Sequence, residues 1–514
     1  MRTFLALLAA GLASPLAGLS APALAQTPAS AAARAEAPDA AQLDLPDTPA
    51  GRRATEMIRL SVEGDDATTR AYVETSYAPR FRDAFPIEEH VRILGEMRER
   101  TGGFDPVEVR SSEPSAIRMV VRTRRTSELR LFTLDTEPEP PHRIDGMGMR
   151  PLGPADGVET PAVPERALSD AEVASLLGEY LDRLVAVDGF SGSVLVARAG
   201  RPIFEAAYGE ASKSYGAPNA VDTKFNLGSM NKMFTAVAVA QLVERGVLSW
   251  DDPVGKWLGA DWVRPEVGEK VTIGHLLTHT SGLGSFFNDE FMRSSRGLYR
   301  DLDAWQPIVS ADSLAFEPGT DWSYSNTGFL LLGAIVEKAS GQSYYDYVRE
   351  RVYEPAGMTG TDAYEVDAVV PNLAQGYERM EAGGVVTYRS NVFEHTARGG
   401  PAGGGYSTAP DLLAFARALA DGRLLRPETV DVVTSAKPEA RSPDYGYGFQ
   451  QWESGRVFGH TGGFPGISSA LMIDRESGDV VVVLSNYGRA SSPVSDFALR
   501  LLAAGREGGS SSGG

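Results

Sequence analysis

The chain is 514 residues long and 42% hydrophobic, enough for more than one packed domain, and 49 Lys and Arg against 68 Asp and Glu give it a formal charge of -19. No local basic cluster offsets that charge, so a phosphate backbone is repelled and nucleic acid is excluded as a partner. Cysteine is absent, which removes disulfides, thiolate nucleophiles and cysteine zinc ligands, and the six histidines show no H-E-x-x-H or similar spacing, so no metal is expected.

In chain order, residues 1 to 25 carry Arg2, an apolar stretch and then Ala23-Leu24-Ala25 before Gln26, the pattern of an export signal with an A-x-A cleavage site. Pro15 and Pro22 interrupt the run, which falls short of the roughly 20 apolar residues a membrane span needs. A periplasmic or secreted protein without a stable membrane span is therefore expected. Residues 26 to 50 are rich in Ala, Pro, Asp and Thr and predict a solvated linker. Residues 51 to 151 predict a small α+β domain: helical periodicity through Ala71, Val73, Tyr77 and Phe81 and again through Val91, Leu94 and Met97, then strands around Val107, Ile117 and Glu128. This layout resembles the small domains of the nuclear-transport-factor-2-like (NTF2-like) type. The resemblance implies docking or self-association through this domain, the alternative being a unit that only shields a face of the domain after it.

A Pro-rich linker over 152 to 167 leads into a domain expected over 168 to 503, followed by a flexible tail over 504 to 514. Ser169 and Glu172 form a capping-box pattern before an amphipathic helix. A hairpin around Ala199-Gly200 and another around Ser477-Gly478 flank a helical middle. Their positions predict an α+β fold: one antiparallel sheet built from both ends of this domain, flanked by helices plus a helical subdomain.

Three short stretches carry chemistry. Ser229 and Lys232 lie three apart at the head of an Ala-rich apolar run, which on a helix puts the amine within reach of the hydroxyl. A helix N-terminus offers unpaired N–H groups to an attacked carbonyl oxygen. The ordinary pKa of a lysine lies about 3 units above neutral pH, roughly 4 kcal/mol, so a base at this position requires burial. By itself the motif is equally a serine cap beside an exposed lysine. Tyr324-Ser325-Asn326 precedes a second apolar helix. There Tyr324 offers a proton shuttle and Asn326 an amide that donates and accepts, against the simpler reading of a helix cap with a packed tyrosine. Gly459-His460-Thr461-Gly462-Gly463 opens a strand whose glycines let the backbone approach a ligand. His275 and His279 are four apart, but no glutamate or third ligand completes a metal site. Glu317 and Asp321 read as loop caps.

In this order the three stretches resemble the motifs S-x-x-K, Y-x-N and H-x-G of the serine β-lactamase and penicillin-binding-protein superfamily. The stretches beginning at Val271, Tyr353, Gly400 and Tyr445 resemble connecting segments of its esterase and class C β-lactamase-like branch. The resemblance implies an exported serine hydrolase with Ser229 as nucleophile, Lys232 as base and Tyr324 as relay to the leaving group. It further implies Asn326, His460 and Thr461 as substrate-binding residues, backbone N–H groups of Ser229 and Gly463 as oxyanion hole, and no need for a metal or organic cofactor. Histidine at 460 stands where lactamases and transpeptidases carry lysine, which tilts the expected substrate toward a carboxylic ester, amide or D-amino-acid peptide of cell-wall type. A β-lactam substrate, acyl transfer to another acceptor, and a non-catalytic scaffold that binds muropeptides or a partner are the alternatives. No G-x-S-x-G elbow occurs, so an α/β-hydrolase has no nucleophile here.

Overall fold

The structure, a computed structural model, describes residues 43 to 506 except 83 to 85, 383 to 384 and 443. The expected export signal, most of the first linker and most of the tail lie outside the described residues. Two compact units divide at Asp156 and Gly157.

The first unit has helices α1 (Pro49–Glu63), α2 (Asp66–Ser76) and α3 (Ile87–Thr101), then strands β1 (Phe104–Glu113), β2 (Ala116–Thr123), β3 (Leu129–Thr136) and β4 (Ile144–Pro151). The strands form an antiparallel meander in the order 1-2-3-4. Helix α1 begins where the Gly51 N–H donates to Thr48 Oγ1 at 3.0 Å and Pro49 stands at the first turn. Two elements were not foreseen. Helix α1, which begins inside the expected linker, buries Ala50, Gly51, Ala54, Met57 and Ser61, of which only Met57 is a large apolar residue. Strand β4 contains Gly146 and Gly148, which dilute its strand signal.

The second unit opens with helix α4 (Asp170–Ala186), whose capping box between Ser169 and Glu172 is present, and strands β5 (Gly192–Arg198) and β6 (Arg201–Tyr208). Its helical middle includes α5 (Asn231–Glu244), α6 (Ile273–Thr278), α7 (Asn326–Ser340) and α8 (Ala409–Ala420). Strands β7 (Gln450–Trp452), β8 (Val457–Phe464), β9 (Ile467–Asp474) and β10 (Val480–Ser485) and helix α9 (Ser491–Ala503) complete it.

The principal sheet runs β7-β8-β9-β10-β5-β6 and is antiparallel throughout, so strands from the two ends of the unit pair directly, Val480 opposite Ala197 through Ser485 opposite Gly192. Both tight turns form where expected, with Ala199 and Gly200 at φ 48° and 72°. Every residue of β9 and β10 is buried, as in a sheet covered on both faces. Helix α9 packs on β9 and β10, and α8 on β10 and β5.

Helix α5 is the centre of the helical region. Its buried residues, among them Asn231, Lys232, Met233, Phe234 and Thr235, point in every direction, the pattern of a helix with no solvent face. A lysine on such a helix has no route to bulk water along the helix surface. Among the described residues, no helix is long and apolar enough to cross a membrane.

Candidate active site

The site is built where α5 begins. Gly228 takes a left-handed φ of 51°, and a single 3-10 turn, Gly228–Met230, sets Ser229 half-buried at the head of the helix. A side chain on Gly228 would place its Cβ 3.0 Å from the Gly463 nitrogen, and one on Gly462 would lie 1.9 Å from the Leu227 carbonyl oxygen. Glycine at both positions therefore lets strand β8 close on the serine turn, and Ser469 Oγ, donating to the Leu227 oxygen at 2.7 Å, ties β9 to the same turn.

Lys232 has no exposed surface. Its Nζ lies 2.6 Å from the Ala402 carbonyl oxygen, 2.8 Å from Asn326 Oδ1 and 3.3 Å from Ser229 Oγ. Two of these partners only accept, so they take two N–H bonds, and in the neutral amine the lone pair remains for the third, the serine hydroxyl. Burial holds the amine well below the ordinary lysine range.

The second wall is the start of α7. Ser325 caps the helix, its Oγ accepting the Gly328 N–H at 2.9 Å and donating to the Gly284 oxygen at 2.8 Å. That cap orients the next residue, Asn326, whose Oδ1 faces Lys232 while its Nδ2 donates to Ser285 Oγ at 3.1 Å. The preceding residue, Tyr324, stands beside Ser229, and its ring centroid lies 4.8 Å from Lys232 Nζ. Burial pushes the phenol upward from its ordinary value, so the tyrosine keeps its proton across the neutral range. Of two groups beside the serine, the lysine favours its neutral form and the tyrosine its protonated form. The capping and the chemical readings of Tyr324-Ser325-Asn326 are thus compatible, since Ser325 does the capping.

The third wall is the edge of β8. Strand β7 pairs with β8 only from Val457 to Gly459, which leaves Thr461 to Phe464 as an open edge. Gln450 Oε1 accepts both the Thr461 N–H and its Oγ1, each at 2.9 Å. Two residues further along, the exposed Gly463 directs its N–H to the same side, beside the Gly228-Ser229 turn.

His460 lies on β8 just before this edge. Its side chain is wholly buried, like that of Lys232, with Nε2 2.9 Å from the Tyr445 hydroxyl and Nδ1 2.6 Å from the Thr461 carbonyl oxygen. Burial, with the nearby Lys232 adding to it, pushes the imidazole down to about 3. His275 accepts the Thr272 N–H through Nδ1 at 3.3 Å, and His279 packs behind Tyr324. Glu317 pairs with Lys270 at 2.9 Å, and Asp321 accepts the N–H of Trp322. Among the described residues no group of three or more His, Cys, Asp or Glu is arranged to hold a metal ion. Sequence reasoning missed the Ala402 carbonyl, Ser285 and the packing role of His279. Only Ser285 carried a signal, its place soon after the Val271 stretch.

Residues 179 to 505 match the family model described as Beta-lactamase. The chain belongs to the Beta-lactamase family. Over 327 residues it is 32% identical to penicillin-binding protein 4* of Bacillus subtilis, covering 58% of this chain and 68% of that protein. Over 390 residues it is 31% identical to the esterase EstB of Burkholderia gladioli, covering 65% and 96%. Among solved structures, a D-stereospecific amidohydrolase from Streptomyces sp. aligns with a TM-score of 0.53 at 28% identity, covering 66% of this chain and 98% of that one. The second unit is thus a β-lactamase-fold hydrolase, of a family that takes in penicillin-binding proteins, esterases and amidases.

Proposed function

We propose that the protein is a serine hydrolase that forms an acyl-enzyme on Ser229, with a carboxylic ester, amide or D-amino-acid peptide lacking a required carboxylate as substrate. One observation carries the reading: an amine without solvent exposure, bonded to two carbonyl oxygens and aimed at a half-buried serine hydroxyl. A scaffold that merely binds has no physical need for such a base.

In the reaction, Lys232 Nζ takes the Ser229 proton as Oγ bonds to the substrate carbonyl carbon. The carbonyl oxygen becomes an oxyanion facing the N–H groups of Ser229 and Gly463, donors oriented before the charge develops. As the tetrahedral intermediate collapses, the bond to the leaving alcohol or amine breaks and Tyr324 hands that group its hydroxyl proton, recovering one from the Lys232 ammonium. Water then attacks the ester carbonyl by the same route and frees Ser229. Asn326 holds the acyl side, and the open edge of β8 beyond Thr461 aligns an extended substrate by backbone hydrogen bonds. His460 supports the preference for uncharged ends, because a neutral imidazole occupies the position at which lactamases and transpeptidases of the resembled superfamily carry a lysine cation. Export belongs to the same reading, on the pattern of residues 1 to 25; a mature mass beginning at Gln26 tests it.

The test is the intact mass of the protein and of Ser229→Ala after exposure to a fluorophosphonate and, separately, a penicillin. The reading expects a phosphonyl adduct on the wild type alone and slow or no penicillin adduct. Labelling of the Ser229→Ala variant, or none on either protein, would overturn it, the second outcome in favour of a binding scaffold.

A further inference from the structure

Resting on that acyl-enzyme reading, a second histidine acquires a role. His279 ends helix α6 in the left-handed region, φ 62° and ψ 32°, and has no exposed surface. Two of its polar atoms reach the same short segment: its carbonyl oxygen accepts the Ser323 N–H at 2.9 Å, and its Nδ1 accepts the Ser325 N–H at 3.0 Å. Between those two residues stands Tyr324, whose ring centroid lies 4.3 Å from the imidazole centroid. On another side Tyr445 closes in at 4.6 Å.

We propose that His279 is the positioning residue of Tyr324, gripping the backbone on both sides of the tyrosine and bracing its ring so that the hydroxyl meets the leaving group.

The chemistry suits histidine. An acceptor at Nδ1 requires that ring atom to be unprotonated, so the neutral imidazole carries its proton on Nε2. That Nε2 is buried and has no hydrogen-bond partner, an arrangement that costs free energy and that a phenylalanine would avoid. The polar ring is nevertheless present, and its one made bond is to Ser325. Asparagine would tolerate the left-handed backbone and could accept from Ser325, but offers no ring. Phenylalanine would offer the ring without the acceptor. Burial and the nearby Lys232 keep the imidazole neutral, which preserves the Nδ1 acceptor.

A positioning role for a proton donor has a signature that a general packing role lacks. An ester of p-nitrophenol expels its leaving group without a proton, whereas an ethyl ester of the same acid needs one. His279→Phe is expected to slow turnover of the ethyl ester at least about tenfold more than that of the p-nitrophenyl ester, with KM little changed. His279→Asn, which retains the acceptor, should show the same split to a smaller degree, and it carries the test if the phenylalanine variant fails to fold. In a Tyr324→Phe background neither substitution should widen the split further. Equal slowing of both esters, or none, would overturn the proposal. Fluorophosphonate labelling separates the two readings, since fluoride leaves unprotonated: a variant that still labels Ser229 but shows no split defeats only the role of His279, whereas a wild type that does not label defeats the acyl-enzyme reading.

Discussion

Lys232 Nζ stands 2.8 Å from Asn326 Oδ1, so the base is held by an amide oxygen that carries no charge. Replacing that amide by a carboxylate, Asn326→Asp, sets a negative charge against the amine and favours the ammonium form. The lysine pKa then rises from its depressed position, the neutral fraction at a given pH falls, and the acid limb of kcat/KM moves to higher pH. Once the raised pKa exceeds the assay pH, each further unit lowers activity at that pH about tenfold, and the loss is recovered as the pH is raised. A pH–rate profile on a neutral ester checks this. A profile lowered evenly at every pH, with its limb unmoved, would count against Lys232 as the base.

Lys232→Arg retains the positive charge and removes the capacity to lose it, because a guanidinium stays protonated throughout the accessible range. The expected loss in kcat is about 10²- to 10⁴-fold, the usual worth of a positioned base, with no recovery on raising the pH. Melting temperature measured alongside kcat separates this from misfolding. An arginine variant with turnover near wild type would assign the base elsewhere.

Much of this site was legible because its side chains fall at informative spacings. Ser229 and Lys232 announce one helix face, Tyr324 and Asn326 flank the cap Ser325, and the turn at Ala199-Gly200 foretells a hairpin of the main sheet. The Ala402 carbonyl was not legible, because a backbone acceptor has no residue-type signature. The burial of His460 was not legible for a related reason. Along β8 the residues from Val457 to His460 are all buried, so the alternation that normally separates an inward from an outward side chain is missing there. His279 read as half of an incomplete metal pair, since its real partners, the Ser323 and Ser325 amides, come from the distant segment just before α7.

The burial of His460 makes a prediction about charge. Its imidazole is pushed down to about 3, so it stays neutral as the pH falls through the range where an exposed histidine gains its proton. The ratio of kcat/KM for a succinyl ester to that for the matching neutral butyryl ester should therefore gain nothing between about pH 8 and about pH 6, above the ordinary carboxylate range. A histidine titrating near its ordinary value and facing the cleft would raise the ratio over that interval. By the same reasoning, His460→Lys forces a second amine into a site without exposed surface beside Lys232, and a lower melting temperature is expected in place of a gain in carboxylate recognition.

Gly462 lets the oxyanion edge and the nucleophile turn share one place. A Cβ there would lie 1.9 Å from the Leu227 oxygen and 2.4 Å from Ser469 Oγ. The first of these is backbone and cannot rotate away, so Gly462→Ala must push β8 off the turn that carries Ser229. Displacing Gly463 N–H from the carbonyl oxygen forfeits an oriented donor, a loss of about 10²-fold or more in kcat. Lys232 is bonded to Ala402, Asn326 and Ser229, none of them on β8, so the acid limb of the pH profile should stay in place while its height falls. A Gly462→Ala enzyme with wild-type kcat would show that β8 supplies no part of the oxyanion site, and one whose acid limb also moved would place the strand in control of the base.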